Sequence, residues 1–179
     1  FIRSMATRGT LGGLAKKTSA FAQILDAAGY ELILIETVGA GQSEVDIARL
    51  AHTTIVVESP GMGDDIQAIK AGILEIADIL VVNKADHPMA DLTLRALKAN
   101  LDLAHPQQFS AFDRMHLHTL AFEPIPIVSS DVPDIWFPPL FPTVSTRGEG
   151  IELLVEAIVA HKAYLQDNGQ WQQREAARL

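Results

Sequence analysis

Val81-Val82-Asn83-Lys84-Ala85-Asp86 carries an apolar run straight into Asn-Lys-x-Asp. With Ile79 and Leu80 before it, the run is short and rich in branched residues, which predicts a strand buried on both faces. Ligands of open α/β sheets lie beyond the carboxyl ends of their strands, so Asn83, Lys84 and Asp86 are expected in a ligand crevice. The chemistry fits guanine. A carboxylate at Asp86 can accept both N1–H and the exocyclic N2–H, whereas adenine has no proton on N1 and would leave that charge unpaired. The Asn83 amide can reach N7 and tie neighbouring loops, and the Lys84 stem can cover the base plane. Asn83 and Asp86 would equally suit a turn that caps the next helix, so the reading needs context.

Upstream, Leu32-Ile33-Leu34-Ile35 and Thr53-Thr54-Ile55-Val56-Val57 read as further buried strands. Helical spacing marks Lys17 to Ala28, closed by Gly29, then Glu44 to Leu50, Asp64 to Ile76 and Asp91 to Leu103. Strands alternating with helices imply parallel pairing, hence an α/β fold: a mostly parallel sheet flanked by helices. Downstream, residues 105–142 hold seven of the nine prolines and are expected to form a long, partly extended excursion. A last strand from Pro142 to Ser145, a helix from Ile151 to Leu165, and a new helix from Trp171 to Leu179 complete the chain.

Two further strand ends bear on chemistry. Ile33-Leu34-Ile35-Glu36-Thr37-Val38-Gly39 closes a strand with an acid, where phosphate-loop NTPases hold Mg2+ or its waters. Glu36 is therefore the metal candidate, although a strand-end carboxylate can simply face solvent. Gly39 can offer its N–H to a γ-phosphate, and Gly39-Ala40-Gly41-Gln42 is a candidate switch loop. Gln42 is the candidate for orienting a hydrolytic water, three residues after Gly39 rather than next to it. Val144-Ser145-Thr146 is placed to give a backbone N–H to guanine O6, although Ser-Thr turns before a glycine are common. His116 and His118 lack a third ligand nearby and read as surface residues, and Trp136-Phe137-Pro138-Pro139 reads as a loop packed on its own domain.

Composition bounds the function. The chain has 179 residues, 48% of them apolar, and no cysteine, which excludes a disulfide framework, a thiolate zinc site and a cysteine nucleophile. A net charge of −8 without a basic cluster argues against broad binding to nucleic acid or anionic membranes. No apolar run approaches the roughly 20 residues that span a bilayer, and no signal peptide is evident, so a cytoplasmic location is expected. The chain opens on Phe1 and reads as an internal fragment.

Together with Phe1-Ile2-Arg3-Ser4-Met5-Ala6-Thr7-Arg8-Gly9-Thr10-Leu11-Gly12-Gly13-Leu14, these motifs resemble the methylmalonyl-CoA mutase-associated GTPases, the MeaB/ArgK family. Glu36-Thr37-Val38-Gly39-Ala40-Gly41-Gln42-Ser43-Glu44 is close to that family's switch II, and the segment from Ser59 to Lys70 is similar to its switch III. The resemblance implies a fold of the three-layer phosphate-loop NTPase type and a GTP-hydrolysing metallochaperone that uses GTP and Mg2+ and serves an adenosylcobalamin-dependent acyl-CoA mutase such as methylmalonyl-CoA mutase. It puts Glu36 on a magnesium acid, Asn83, Lys84 and Asp86 on the guanine site, and Asp64 and Lys70 on a partner-sensing switch. It further implies a partial GTPase domain over residues 1–165, the start of a C-terminal helical arm over 166–179, and a homodimer. Thr146 replaces the family's usual Ala or Gly, a change a backbone contact tolerates. No Gly-x-x-x-x-Gly-Lys-Ser/Thr occurs in the chain, so the phosphate-binding loop is expected upstream, and the chain alone is expected to be inactive. The rival readings are a non-enzymatic module that kept the fold and a nickel-insertion GTPase. The latter carries Cys- or His-rich tracts that are lacking here.

Overall fold

The computed structural model describes residues 1–5, 13–37, 45–46, 48–61, 73–104 and 135–176. In chain order its elements are α1 (Gly13–Ala27), β1 (Ile55–Glu58), α2 (Ile73–Ile76), β2 (Ile79–Asn83), α3 (Ala90–Ala104), β3 (Leu140–Thr143), α4 (Ile151–Asp167) and α5 (Gln170–Ala176). The strands form one parallel sheet in the order β1-β2-β3.

β2 is central, and Ile79, Leu80, Val81 and Val82 are all buried. Because side chains alternate along a strand, Leu80 and Val82 pack on one face with Leu97, Leu101, Ala77 and Leu140. Ile79 and Val81 pack on the other with Phe141 and Ala157. Helix α3 thus covers one face and α4 the other, which is the expected α/β layering. In α3, Leu94, Leu97 and Leu101 recur at helical spacing and form the stripe that meets the sheet. Each large apolar side chain so buried contributes about 1.5–3 kcal/mol.

The chain enters β1 and β2 through a polar knot at the opposite end of the sheet from Asn83. Asp78, just before β2, accepts the Thr54 N–H at 2.8 Å and takes both arms of the Arg174 guanidinium at 2.9 Å. His161 of α4, fully buried, donates to or accepts from Thr53 Oγ1 through Nδ1 at 2.9 Å. Its Nε2 lies 3.3 Å from Asp78 Oδ1, out of hydrogen-bond alignment. Trp136 gives its indole N–H to the Asp78 carbonyl at 2.7 Å and lies with its ring centroid 4.6 Å from that of His161. The Trp136 segment therefore packs on its own domain, as its sequence suggested. One carboxylate gathers β1, β2, α4 and α5.

Two expectations require correction. Leu32 to Ile35 forms no strand: Leu32 is 71% and Leu34 83% exposed. A strand exists by pairing its backbone groups, and among the described residues none lies beside this segment to pair with. The last strand begins at Leu140 and ends at Thr143, two residues earlier than expected, because pairing with β2 extends back past Pro142. Pro142 lacks an N–H and is tolerated because β3 pairs on one side only among the described residues.

Candidate functional site

The parallel register sets Asn83 opposite Thr143, so the ends of β2 and β3 are level and their loops emerge together. Three bonds lace them. Asn83 Oδ1 accepts the Ser145 backbone N–H at 3.1 Å and the Thr143 hydroxyl at 3.3 Å, and Ala85 N–H donates to the Thr143 carbonyl at 2.9 Å. With its oxygen committed, the Asn83 amide nitrogen is fixed in orientation and has no partner among the described residues.

Lys84 takes a left-handed backbone, with φ of 58°, unusual for a residue other than glycine. That conformation turns the chain sharply after β2, and His87 N–H closes the turn on the Lys84 carbonyl at 2.9 Å. The turn delivers Asp86 to the surface with its carboxylate 46% exposed. Asp86 Oδ2 accepts one N–H from Arg147, whose NH1 nitrogen lies 3.2 Å away. Arg147 is itself held by Glu149 through two bonds, Nε to Oε1 at 2.6 Å and NH2 to Oε2 at 3.2 Å. The Glu149 hydrogen bond, with Asp86 adding to it, shifts the Arg147 guanidinium above its ordinary pKa.

The β3–α4 turn is shaped for this arrangement. Val144 N–H donates to the Glu149 carbonyl at 3.0 Å and Arg147 N–H to the Val144 carbonyl at 2.9 Å. Ser145 N–H is spent on Asn83, and the Thr146 N–H beside it has no hydrogen-bond partner among the described residues. Gly150 then enters α4 at φ of 76°, and a Cβ there would lie 2.3 Å from the Pro142 carbonyl oxygen. On the other flank Gly61 backs onto His87, where a Cβ would meet the imidazole at 3.1 Å. The start of the Ser59 to Lys70 segment thus lies beside His87, the residue whose N–H closes the turn after β2.

The structure therefore brings Asn83, Lys84, Asp86, Ser145 and Thr146 into one place. Glu36 is exposed, outside any regular element, and no described contact joins it to them. Gly39, Gln42, Asp64, Lys70, His116 and His118 lie outside the described residues. Among the described residues no three His, Cys, Asp or Glu side chains converge on a point that could hold a metal. Thr143, Arg147 and Glu149 were missed in the sequence. A buried hydroxyl directly opposite Asn83 is visible only once the strands are paired. Arg147 and Glu149 look like solvated turn residues.

The sequence model of a family described as methylmalonyl Co-A mutase-associated GTPase MeaB matches residues 1–179, the whole chain. The chain belongs to the MeaB family. Among its relatives is a GTPase-named protein of Pyrococcus horikoshii, 45% identical over 179 residues, which are 100% of this chain and 49% of the relative. The GTPase ArgK of Escherichia coli is 32% identical over 97% of this chain and 46% of its own length. The mouse methylmalonic aciduria type A homolog, named as mitochondrial, is 43% identical over 86 residues, 48% of this chain and 21% of that protein. A crystal structure of an LAO/AO transport system kinase superposes with a TM-score of 0.66 at 25% identity, covering 93% of this chain and 46% of that one. The chain spans about half the length of the MeaB-family relatives named first, 49% and 46%. No helix among the described residues is long and apolar enough to cross a membrane.

Proposed function

We propose that this MeaB-family chain supplies the guanine-recognition edge of a GTP-hydrolysing chaperone for an adenosylcobalamin-dependent acyl-CoA mutase. The observation that carries the reading is the lacing of Asn83 to Ser145 and Thr143, which orients the Asn83 amide and ties the turn bearing Asp86 to the turn bearing the Thr146 N–H. Each has a counterpart on guanine. The Asn83 amide nitrogen donates to N7, the Thr146 N–H to O6, and Asp86 accepts N1–H and N2–H, while the Lys84 stem covers the base. Adenine would present an acceptor at N1 and a donor in place of O6, opposing both Asp86 and the Thr146 N–H.

Bound Mg2+ would neutralise charge developing on the phosphates during hydrolysis. Glu36 is its proposed holder. A single exposed carboxylate suits a cation held mainly by water and phosphate rather than in a closed protein cage. Gly39 and Gln42 are proposed at the γ-phosphate and the attacking water, and Asp64 and Lys70 in the segment that senses the mutase. The closeness of Gly61 to His87, which follows the base-contacting residues directly, is in keeping with that assignment. A cytoplasmic homodimer, with residues 166–179 opening a helical arm beyond a GTPase domain over 1–165, completes the proposal. Titration calorimetry of the full-length protein tests it: GTP binds more tightly than ATP by at least tenfold, and equal affinities would refute the guanine site.

A further inference from the structure

We propose that Arg147 is a positioning residue for guanine recognition, holding the Asp86 carboxylate at the angle the base requires; this rests on the guanine reading above. A carboxylate at the end of an exposed turn would otherwise swing about its side-chain torsions, and a base edge with two parallel N–H groups needs both oxygens in its plane. Arg147 supplies the restraint. Its guanidinium is anchored first, by two bonds to Glu149, and reaches Asp86 with the remaining arm. Anchor and reach both come from the β3–α4 turn, while Asp86 comes from the turn after β2. The ion pair is therefore a second tie between the loops that Asn83 laces.

The geometry leaves room for the base. Arg147 uses one lone pair of Oδ2, and a carboxylate has about four acceptor positions. Guanine takes two, one on each oxygen, so the guanidinium can stay in place while the base binds. A competing role, in which Arg147 blocks Asp86 until displaced, would call for a bidentate grip on Asp86. The bidentate grip is on Glu149 instead.

The test is titration of full-length protein with a fluorescent GDP analogue and with xanthosine diphosphate, in wild type, Arg147→Ala, Arg147→Lys, Asp86→Asn and the Arg147→Ala/Asp86→Asn double variant. Arg147→Ala is expected to weaken GDP roughly fivefold, the upper range for an exposed but networked pair, with Arg147→Lys restoring part of the loss. In the Asp86→Asn background, Arg147→Ala should weaken xanthosine diphosphate binding by less, because an amide oxygen is a weaker acceptor for the guanidinium than a carboxylate. Glu149→Gln, which loosens the anchor without touching Asp86, should weaken GDP in the same direction by less, and it serves as the second variant if Arg147→Ala folds poorly. Unchanged or tighter GDP binding in Arg147→Ala overturns the proposal, as does an equal loss in both backgrounds, which would mean that Arg147 acts through the fold of its turn. If wild type binds GDP and ADP alike, the guanine reading falls and this inference with it. If wild type prefers GDP and only the Arg147 variants behave as wild type, the guanine reading stands alone.

Discussion

Lys84 shows how the site uses an unfavourable backbone. A left-handed lysine costs about 1–2 kcal/mol, and it persists because the lacing of Ala85 to Thr143 and of His87 to Lys84 over-determines the turn. Glycine would relieve that cost and return about 0.4–1 kcal/mol through greater freedom in the unfolded chain. Lys84→Gly should therefore raise stability by roughly 0.5 kcal/mol, read by urea denaturation, while weakening guanine-nucleotide binding through loss of the stem that covers the base. Lower stability together with unchanged binding would show that Lys84 is only a turn residue. The Asn-Lys-x-Asp pattern itself was legible because its three specified members are polar side chains in a fixed order after a buried strand. Arg147 was not, because a lone arginine in a Gly-flanked turn has no pattern. Its pairing with Asp86, 61 residues earlier, is visible only in the structure.

At the scale of elements, legibility followed burial. β2 was readable because both faces are covered, leaving no polar residue between Ile79 and Val82, and α3 because its leucines repeat at helical spacing. Leu32 to Ile35 has the same composition as β2 yet forms no strand, since composition records the capacity to be buried and pairing needs a neighbour. The start of β3 was hidden by Pro138, Pro139 and Pro142, which read as loop until an edge position makes proline acceptable. The junction of β3 with α4 depends on Gly150. Gly150→Ala adds left-handed strain and a clash with the Pro142 carbonyl, expected to cost about 3 kcal/mol and to shift the 144–149 turn. Thermal melts should fall by several degrees, and guanine binding should weaken with them. A variant with wild-type melting would show that the turn yields without strain.

Across the whole molecule, the knot at Asp78 is what couples strands, helices and the C-terminal segment, and it responds to acid. Burial would raise the Asp78 pKa, but the contacts from His161, the Arg174 fork and the Thr54 N–H outweigh it and bring the carboxyl from 3.8 down to about 2. A carboxyl whose folded pKa is depressed stabilises the fold above its unfolded value. That stabilisation, about 2 kcal/mol, is complete above roughly pH 4 and is lost as pH falls toward about 2. Asp78→Asn should accordingly melt lower than wild type at pH 7 and show a flatter acid limb between pH 4 and pH 2; matching acid limbs would remove Asp78 from the knot. None of this was readable in sequence, since Asp78 and Arg174 are 96 residues apart and each looks like an ordinary surface charge. The most direct test of the guanine site is the base preference of full-length Asp86→Asn, measured by calorimetry with GTP and xanthosine triphosphate. An amide at position 86 should weaken GTP by at least tenfold and favour the xanthine nucleotide, whose O2 accepts the new N–H; an unchanged GTP preference would contradict the assignment of Asp86 to the base.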